Sequence, residues 1–227
     1  MNKIITLAFS GGLDTSFCAA WLQRERQADV VTCCVDTGGF GGAEELSAIE
    51  DRALSLGAKA HHTVDARQVV YDRFVTYIIK GNVLRGGVYP VSVAAERTAQ
   101  AEAVVDIARK VGAHGVAHGS TGAGNDQVRF DVALATLAPD LAIHAPIREL
   151  AWSREEESAW LSAHGFPVED KVVGYSFNEG LFGTTIGGRE THDGWAMPPE
   201  EAYSITCSPE AAVDKAEELV LGITIQR

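Results

Sequence analysis

The chain reads as an α/β protein, a doubly wound parallel sheet with helices on both faces, and three observations predict this. Apolar runs of four to six residues alternate along the chain with stretches whose apolar residues recur at helical spacing. The run Val30-Val31-Thr32-Cys33-Cys34-Val35 is continuous and β-branched, the pattern of a strand buried on both faces. Repeated βα order then returns each strand parallel to the last, because the intervening helix crosses over the sheet. In such sheets ligands sit beyond the carboxyl ends of the strands.

The elements follow in order. Ile4-Ile5-Thr6-Leu7-Ala8-Phe9 is the first strand. It breaks at Gly11-Gly12 and restarts as a helix through Phe17-Cys18-Ala19-Ala20-Trp21-Leu22, with Thr15 and Ser16 in its first turn. After the Val30 to Val35 strand, Leu46, Ile49, Ala53 and Leu56 repeat at helical spacing and Gly57 follows as the cap. A short strand over residues 60–64 precedes a helical stretch over 66–79. Ala101, Val104, Val105 and Ala108 mark a helix ended by Gly112, and Gly115-Val116-Ala117-His118 is the next strand. Leu141-Ala142-Ile143-His144 is one more, stopped by Pro146. No internal repeat or low-complexity tract interrupts this order.

Composition bounds the function. With 227 residues, 46% of them hydrophobic, the chain can bury a substantial core. No apolar run reaches the roughly 18 residues of a membrane span, and the N-terminus enters strand-like sequence directly, which predicts a cytoplasmic protein. The net charge of −12 opposes binding to nucleic acid or to anionic membranes. Cys18, Cys33, Cys34 and Cys207 lack any C-x-x-C or zinc spacing and read as reduced core residues. His114 and His118 flank a strand, His61 and His62 point oppositely, and no H-E-x-x-H occurs, so no protein-ligated metal is expected. The run Arg154-Glu155-Glu156-Glu157 reads as a solvated helix face.

Two segments carry chemistry. In the first, Ser10-Gly11-Gly12-Leu13-Asp14-Thr15-Ser16 joins a strand to a helix, so free backbone N–H groups and the positive helix end converge on one point. Gly11 and Gly12 let backbone approach a phosphate, and the hydroxyls of Thr15 and Ser16 add donors. A nucleotide's phosphates are the expected ligand. The turn lacks both the P-loop lysine and a G-x-G-x-x-G. In the second segment, residues 118–131, three glycines in six positions precede Asn125, Asp126, Gln127 and Arg129 at the start of a helix. Helix capping explains the acid but not the cluster. On the same sheet edge this cluster suits an amino acid: Asp126 for an ammonium, Thr121 and Asn125 for a carboxylate, Arg129 for a second carboxylate.

The first loop resembles the pyrophosphate-binding loop of ATP pyrophosphatases, and with Thr15 between Asp14 and Ser16 it looks most like the argininosuccinate synthase family. The Gly-Asn-Asp-Gln-Val-Arg-Phe motif over residues 124–130 is similar to the same family, as are Tyr89-Pro90 through Glu96-Arg97, Asp36 to Gly39, Ala145 to Glu149 and Tyr175-Ser176-Phe177-Asn178-Glu179. The resemblance implies an adenine nucleotide α-hydrolase-like, Rossmann-like sheet over residues 1–170 and the incomplete start of a synthetase and oligomerisation domain over 171–227. It implies that Ala8, Phe9, Ser10, Gly11, Gly12, Leu13, Asp14, Thr15 and Ser16, with the backbone at Val35 and Gly119, hold ATP. By the same resemblance Thr121, Asn125 and Asp126 hold aspartate, and Tyr89, Asn125, Arg129, Ser176 and Thr185 hold citrulline. Mg²⁺ would travel with the ATP phosphates instead of occupying a dedicated protein cage. Asp14 is the residue to organise the loop or the metal, and Asp126 the residue to orient the attacking amine.

The activity so implied is a carbon–nitrogen ligase of arginine biosynthesis, a tetramer in the family, joining citrulline to aspartate through a citrullyl-adenylate. The chain departs from the family's pattern at Val93, Ala94, Ala123 and Thr185, and at Gly180, where asparagine is common. Two other readings stand beside this one: another ATP pyrophosphatase such as a tRNA-modifying enzyme, and an inactive nucleotide-binding paralogue. Residues 187–227 hold too few apolar residues for a core of their own and are expected to need a partner surface, as part of a longer protein would.

Overall fold

The computed structural model describes residues 2–90, 92–122, 126–168, 175–188, 190, 193–203, 205–220 and 222, apart from the side chains of Pro90, Ser92, Val93 and Ser176. Five strands make one sheet: β1 (Ile4–Ala8), β2 (Asp29–Asp36), β3 (Ala60–Asp65), β6 (Gly115–Ala117) and β7 (Ala142–His144). Their order is β3-β2-β1-β6-β7 and every pairing is parallel. The order reverses at β1, whose neighbours are β2 on one side and β6 on the other. The carboxyl ends of β1 and β6 therefore border the crevice where such sheets take their ligands.

Strand β2 shows why both faces are covered. Val30 and Cys34 pack into one core with Ile5 and Leu7 of β1, Phe17 and Leu22 of α1 (Leu13–Arg26), Ile49 of α2 (Ala43–Ser55), Ile147 of α7 (Pro146–Leu150) and Leu161 of α8 (Arg154–Ala163). Val31, Cys33 and Val35 point the other way into a second core with Val116 of β6, Val104 and Ala108 of α5 (Ser92–Lys110), and Phe130 and Leu134 of α6 (Asp126–Leu137). A continuous apolar strand is thus read out two residues at a time, once to each layer.

Several local expectations are corrected. The stretch over 66–79 is helical but not uniform: α3 (Arg67–Val70) and α4 (Thr76–Gly81) flank a π-helical turn over Tyr71–Val75. Pro146 follows β7 and opens α7 at its first position, where a missing N–H costs nothing. Cys18, Cys33 and Cys34 are buried and free, but Cys207 is exposed, so it is no core residue. The acidic run is not uniformly solvated. Ser153 and Glu156 form a capping box that starts α8, and Glu157 is buried. The remaining strands form two separate two-stranded sheets: β4 (Leu84–Arg85) pairs antiparallel with β5 (Tyr89–Pro90), and β8 (Tyr175–Gly180) pairs with β9 (Gly183–Gly188).

The chain divides into two compact units. The first comprises residues 1–171 and 178–185, the second residues 172–177 and 186–227. In the second, Tyr175 Oη donates to Glu190 Oε1 at 3.0 Å, and Glu200–Ala202 is a turn of 3-10 helix. Leu219 and Val220 have no regular structure and are exposed. Among the described residues no helix is long and apolar enough to cross a membrane.

Candidate active site at the switch point of the sheet

The turn from β1 into α1 is built from backbone. Gly11 has φ +76°, and a Cβ there would stand 3.1 Å from Ile49 Cγ1 of α2, so glycine serves both the left-handed conformation and the close approach. Gly12 differs. Its φ of −72° suits any residue, and a Cβ would meet only Ser10 Oγ, at 3.6 Å. It is the N-cap of α1 and no side chain caps the helix, so the first-turn N–H groups face the crevice uncapped. The hydroxyls brace the turn from behind: Thr15 Oγ1 donates to the Gly12 carbonyl at 3.2 Å and lies 3.4 Å from Ser10 Oγ, while Arg52 Nε of α2 donates to Ser16 Oγ at 2.8 Å. Ala8 ends β1, Phe9 is buried, and Leu13 packs on the first core. Ala8 is in register with Cys33, which leaves Val35 two residues further out along β2, beside the turn.

The loop after β6 meets this turn directly. A Cβ on Gly119 would lie 3.1 Å from Thr15 Cγ2 and 3.3 Å from the Thr15 nitrogen, so the two loops touch at the point where the strand order reverses. Thr121 is exposed further along the same loop. Asn125 lies outside the described residues. Asp126 opens α6 and is held by two guanidiniums, Arg129 Nη1 at 2.8 Å and Arg97 Nη2 at 3.1 Å. Arg97 Nη2 also donates to Asn178 Oδ1 at 2.8 Å, which ties α5 and α6 to β8. Tyr89 accepts a long hydrogen bond from Thr185 Oγ1, 3.5 Å. Ser176 is on β8 within the second unit. The structure thus joins Ser10, Gly12, Thr15 and Gly119 in one cluster, Asp126 and Arg129 in a second, and Tyr89 and Thr185 in a third.

Sequence reasoning gave no role to Arg97, Asn178, Glu96 or Glu157. The signal for Glu96 and Arg97 was their adjacency as a Glu-Arg dipeptide inside α5, whose buried face is otherwise alanine-rich. Glu96 is 2% exposed, and burial pushes its carboxyl up to about 7 against the opposing pull of Arg97 and a hydrogen bond with Thr37. Gly180 lies against it so closely that a Cβ there would overlap the carboxylate. For Glu157 the signal was Leu161, four residues on and fully buried, which places both on one face of α8. Burial, then the nearby Asp14 charge, pushes Glu157 up to about 8. Asp14 is itself raised by burial, with Arg154 Nε 3.9 Å away opposing the shift. Asp14 Oδ1 and Glu157 Oε2 are buried without a hydrogen-bond partner among the described residues.

Comparison with known proteins agrees with this architecture. The family model of the arginosuccinate synthase N-terminal HUP domain matches residues 4–167. The argininosuccinate synthase of Staphylococcus saprophyticus subsp. saprophyticus is 42% identical over 223 residues, 98% of this chain and 55% of that protein. The argininosuccinate synthase of Staphylococcus aureus strain JH9 is 41% identical over 231 residues, 100% of this chain and 57% of its own length. The chain spans about half the length of the curated relatives it matches. A solved 4-thiouridine synthetase, in complex with RNA and with bound ATP, has a TM-score of 0.53 at 16% identity over 72% of this chain and 41% of its own, a likeness of fold. The family match runs from the first strand, through the uncapped turn and the loop that meets it, to the helix carrying Glu157, and the chain belongs to the argininosuccinate synthase family.

Proposed function

We propose that this chain carries the nucleotide-binding half of an argininosuccinate synthase reaction. The ureido oxygen of citrulline attacks the α-phosphorus of ATP, forming citrullyl-adenylate and releasing pyrophosphate; the aspartate amine then displaces AMP, forming argininosuccinate. The observation that carries the reading is the contact of Gly119 with Thr15 at the switch point, which brings an uncapped helix N-terminus and a second glycine loop together. No side chain serves as a covalent nucleophile. The turn contributes oriented N–H donors, which need no reorganisation as charge moves onto pyrophosphate.

The side-chain clusters take the amino acids in this reading. Asp126 faces the aspartate ammonium and thereby orients the attacking amine. Arg129 has donors beyond the Nη1–H given to Asp126, and these take a carboxylate. Tyr89 and Thr185 contribute to the citrulline side. Mg²⁺ fits the donor set at the turn, because Asp14 Oδ1 is a buried carboxyl oxygen without a hydrogen-bond partner among the described residues, and Asp14 is the residue that would hold it. Bound, the ion would offset phosphate charge. As in the family, the working protein would be a homo-oligomer and cytoplasmic. The test is citrulline-dependent exchange of labelled pyrophosphate into ATP by the intact protein. Exchange that requires citrulline supports the reading; ATP binding without exchange favours a silent paralogue, and exchange driven by RNA favours a tRNA-modifying relative.

A further inference from the structure

One buried side chain at this crevice has no part in the chemistry above and yet makes more directed contacts than its neighbours. His118 follows β6, is 1% exposed, and its backbone N–H donates to the His144 carbonyl of β7 at 3.1 Å, which prolongs the sheet by one residue. Its ring stacks on Phe130 of α6, centroids 5.5 Å apart and planes 16° from parallel. Nδ1 accepts the Ser120 N–H at 3.2 Å, so the ring proton is assigned to Nε2, which donates to Asp131 Oδ1 at 3.0 Å. Asp131 in turn accepts from Arg148 of α7, Nη1 to Oδ2, at 2.5 Å. Every polar atom of the imidazole is thus engaged. The residue between the two it ties, Gly119, is the one pressed against Thr15.

We infer that His118 is a positioning residue: as a neutral imidazole anchored through Asp131 to Arg148, it holds the Ser120 N–H and so fixes the Gly119 turn against the phosphate loop. Two groups with charge face the ring, Asp131 and, behind it, Arg148. Burial holds the imidazole below the usual histidine range, against the pull of Asp131, consistent with the neutral form that an accepting Nδ1 requires. Protonation or loss of Nδ1 would leave the Ser120 N–H without its acceptor and release the turn, whereas the Asp131 contact only aims the ring. The consequence for ATP rests on the proposed role of Gly119; the clamp itself does not.

The test separates the two ring nitrogens. His118→Asn places an amide oxygen near the Nδ1 position and cannot reach Asp131; His118→Gln reaches toward Asp131 and offers nothing at Nδ1. Both lose the ring stack, so both should lower the melting temperature alike. Amide exchange at Ser120, followed by NMR, should stay slow in the wild type and in His118→Asn and accelerate at least about tenfold in His118→Gln. Titration with Mg·ATP should show His118→Asn within about threefold of wild type and His118→Gln weakened about tenfold or more, roughly 1.4 kcal/mol. Ser120 exchange that is equal in the two variants overturns the clamp, as does wild-type affinity in His118→Gln. A wild type that keeps Ser120 protected yet does not bind Mg·ATP overturns the nucleotide reading and supports the clamp.

Discussion

The two loops that meet at the carboxyl edge of the sheet are built by opposite means. The turn after β1 relies on backbone: a left-handed Gly11, an uncapped Gly12, and hydroxyls that bond back to the turn's own carbonyls. The segment after β6 relies on side chains borrowed from far along the chain, with Arg97 of α5, Arg148 of α7 and Asn178 of β8 all engaged around α6. A backbone site reads any phosphate that fits its curvature. A side-chain site distinguishes substrates by charge and shape. The difference matches the proposed division of labour, nucleotide at the first and amino acids at the second.

The strongest way to break this comparison is at Gly12. Because a Cβ there meets almost nothing in the protein, Gly12→Val should fold normally while its branched side chain fills the space proposed for phosphate. The expected result is a loss of ATP affinity of about a hundredfold or more, some 2.7 kcal/mol, with an unchanged melting temperature, read by calorimetric titration. A folded variant that binds ATP like the wild type would remove the backbone site. On the other loop, Asp126→Asn keeps size and removes the charge that Arg97 and Arg129 both hold. In the intact protein, citrulline-dependent pyrophosphate exchange should survive within a few-fold, while argininosuccinate formation falls by about ten- to a hundredfold. Equal loss of both would assign Asp126 to holding the loop together instead of to the amine.

The same contrast explains what was legible in the sequence. Backbone devices announce themselves locally: Ser-Gly-Gly between an apolar run and a helix needs no knowledge of what packs around it, and the parallel pairing follows from repeated βα units. Side-chain devices depend on partners 29 and 81 residues away, as Arg97 does with Asp126 and Asn178, and no spacing rule links such positions. Glu157 was misread for a related reason. Three consecutive acids satisfy the usual pattern of a helix's first turn, and only the capping-box geometry of Glu156 and the burial of Leu161 turn the third one inward. Pro146 ended a strand as expected, but it did so by starting a helix.

Glu96 sharpens the comparison through pH. Its folded-state carboxyl is raised from the ordinary 4.5 to about 7, first by burial. A raised value means that the folded chain binds the proton more tightly than the unfolded chain. Its contribution to stability is therefore full below pH 4.5 and is lost as pH climbs through about 7. Across that window stability should fall by at most about 1.4 kcal/mol per pH unit, and Glu96→Gln should flatten the slope. Denaturant unfolding at several pH values reads it directly. An unchanged slope in Glu96→Gln would mean that Glu96 is ionised and compensated in the fold.

A double-mutant cycle isolates the contact between Glu96 and Gly180. A Cβ at Gly180 would overlap the Glu96 carboxylate. Because Glu96 is buried, its head group has little room to swing aside, so Gly180→Ala should destabilise by about 1–3 kcal/mol, the usual cost of overpacking. Removing the obstacle should remove the penalty. In Glu96→Ala the same Gly180→Ala change should cost less than about 0.5 kcal/mol, giving a coupling that a double-mutant cycle measures directly. The coupled pair would then show that the buried Glu96 side chain is what requires glycine at position 180. Additive effects would show instead that the Gly180 backbone is free to move, and that the close approach does not constrain β8.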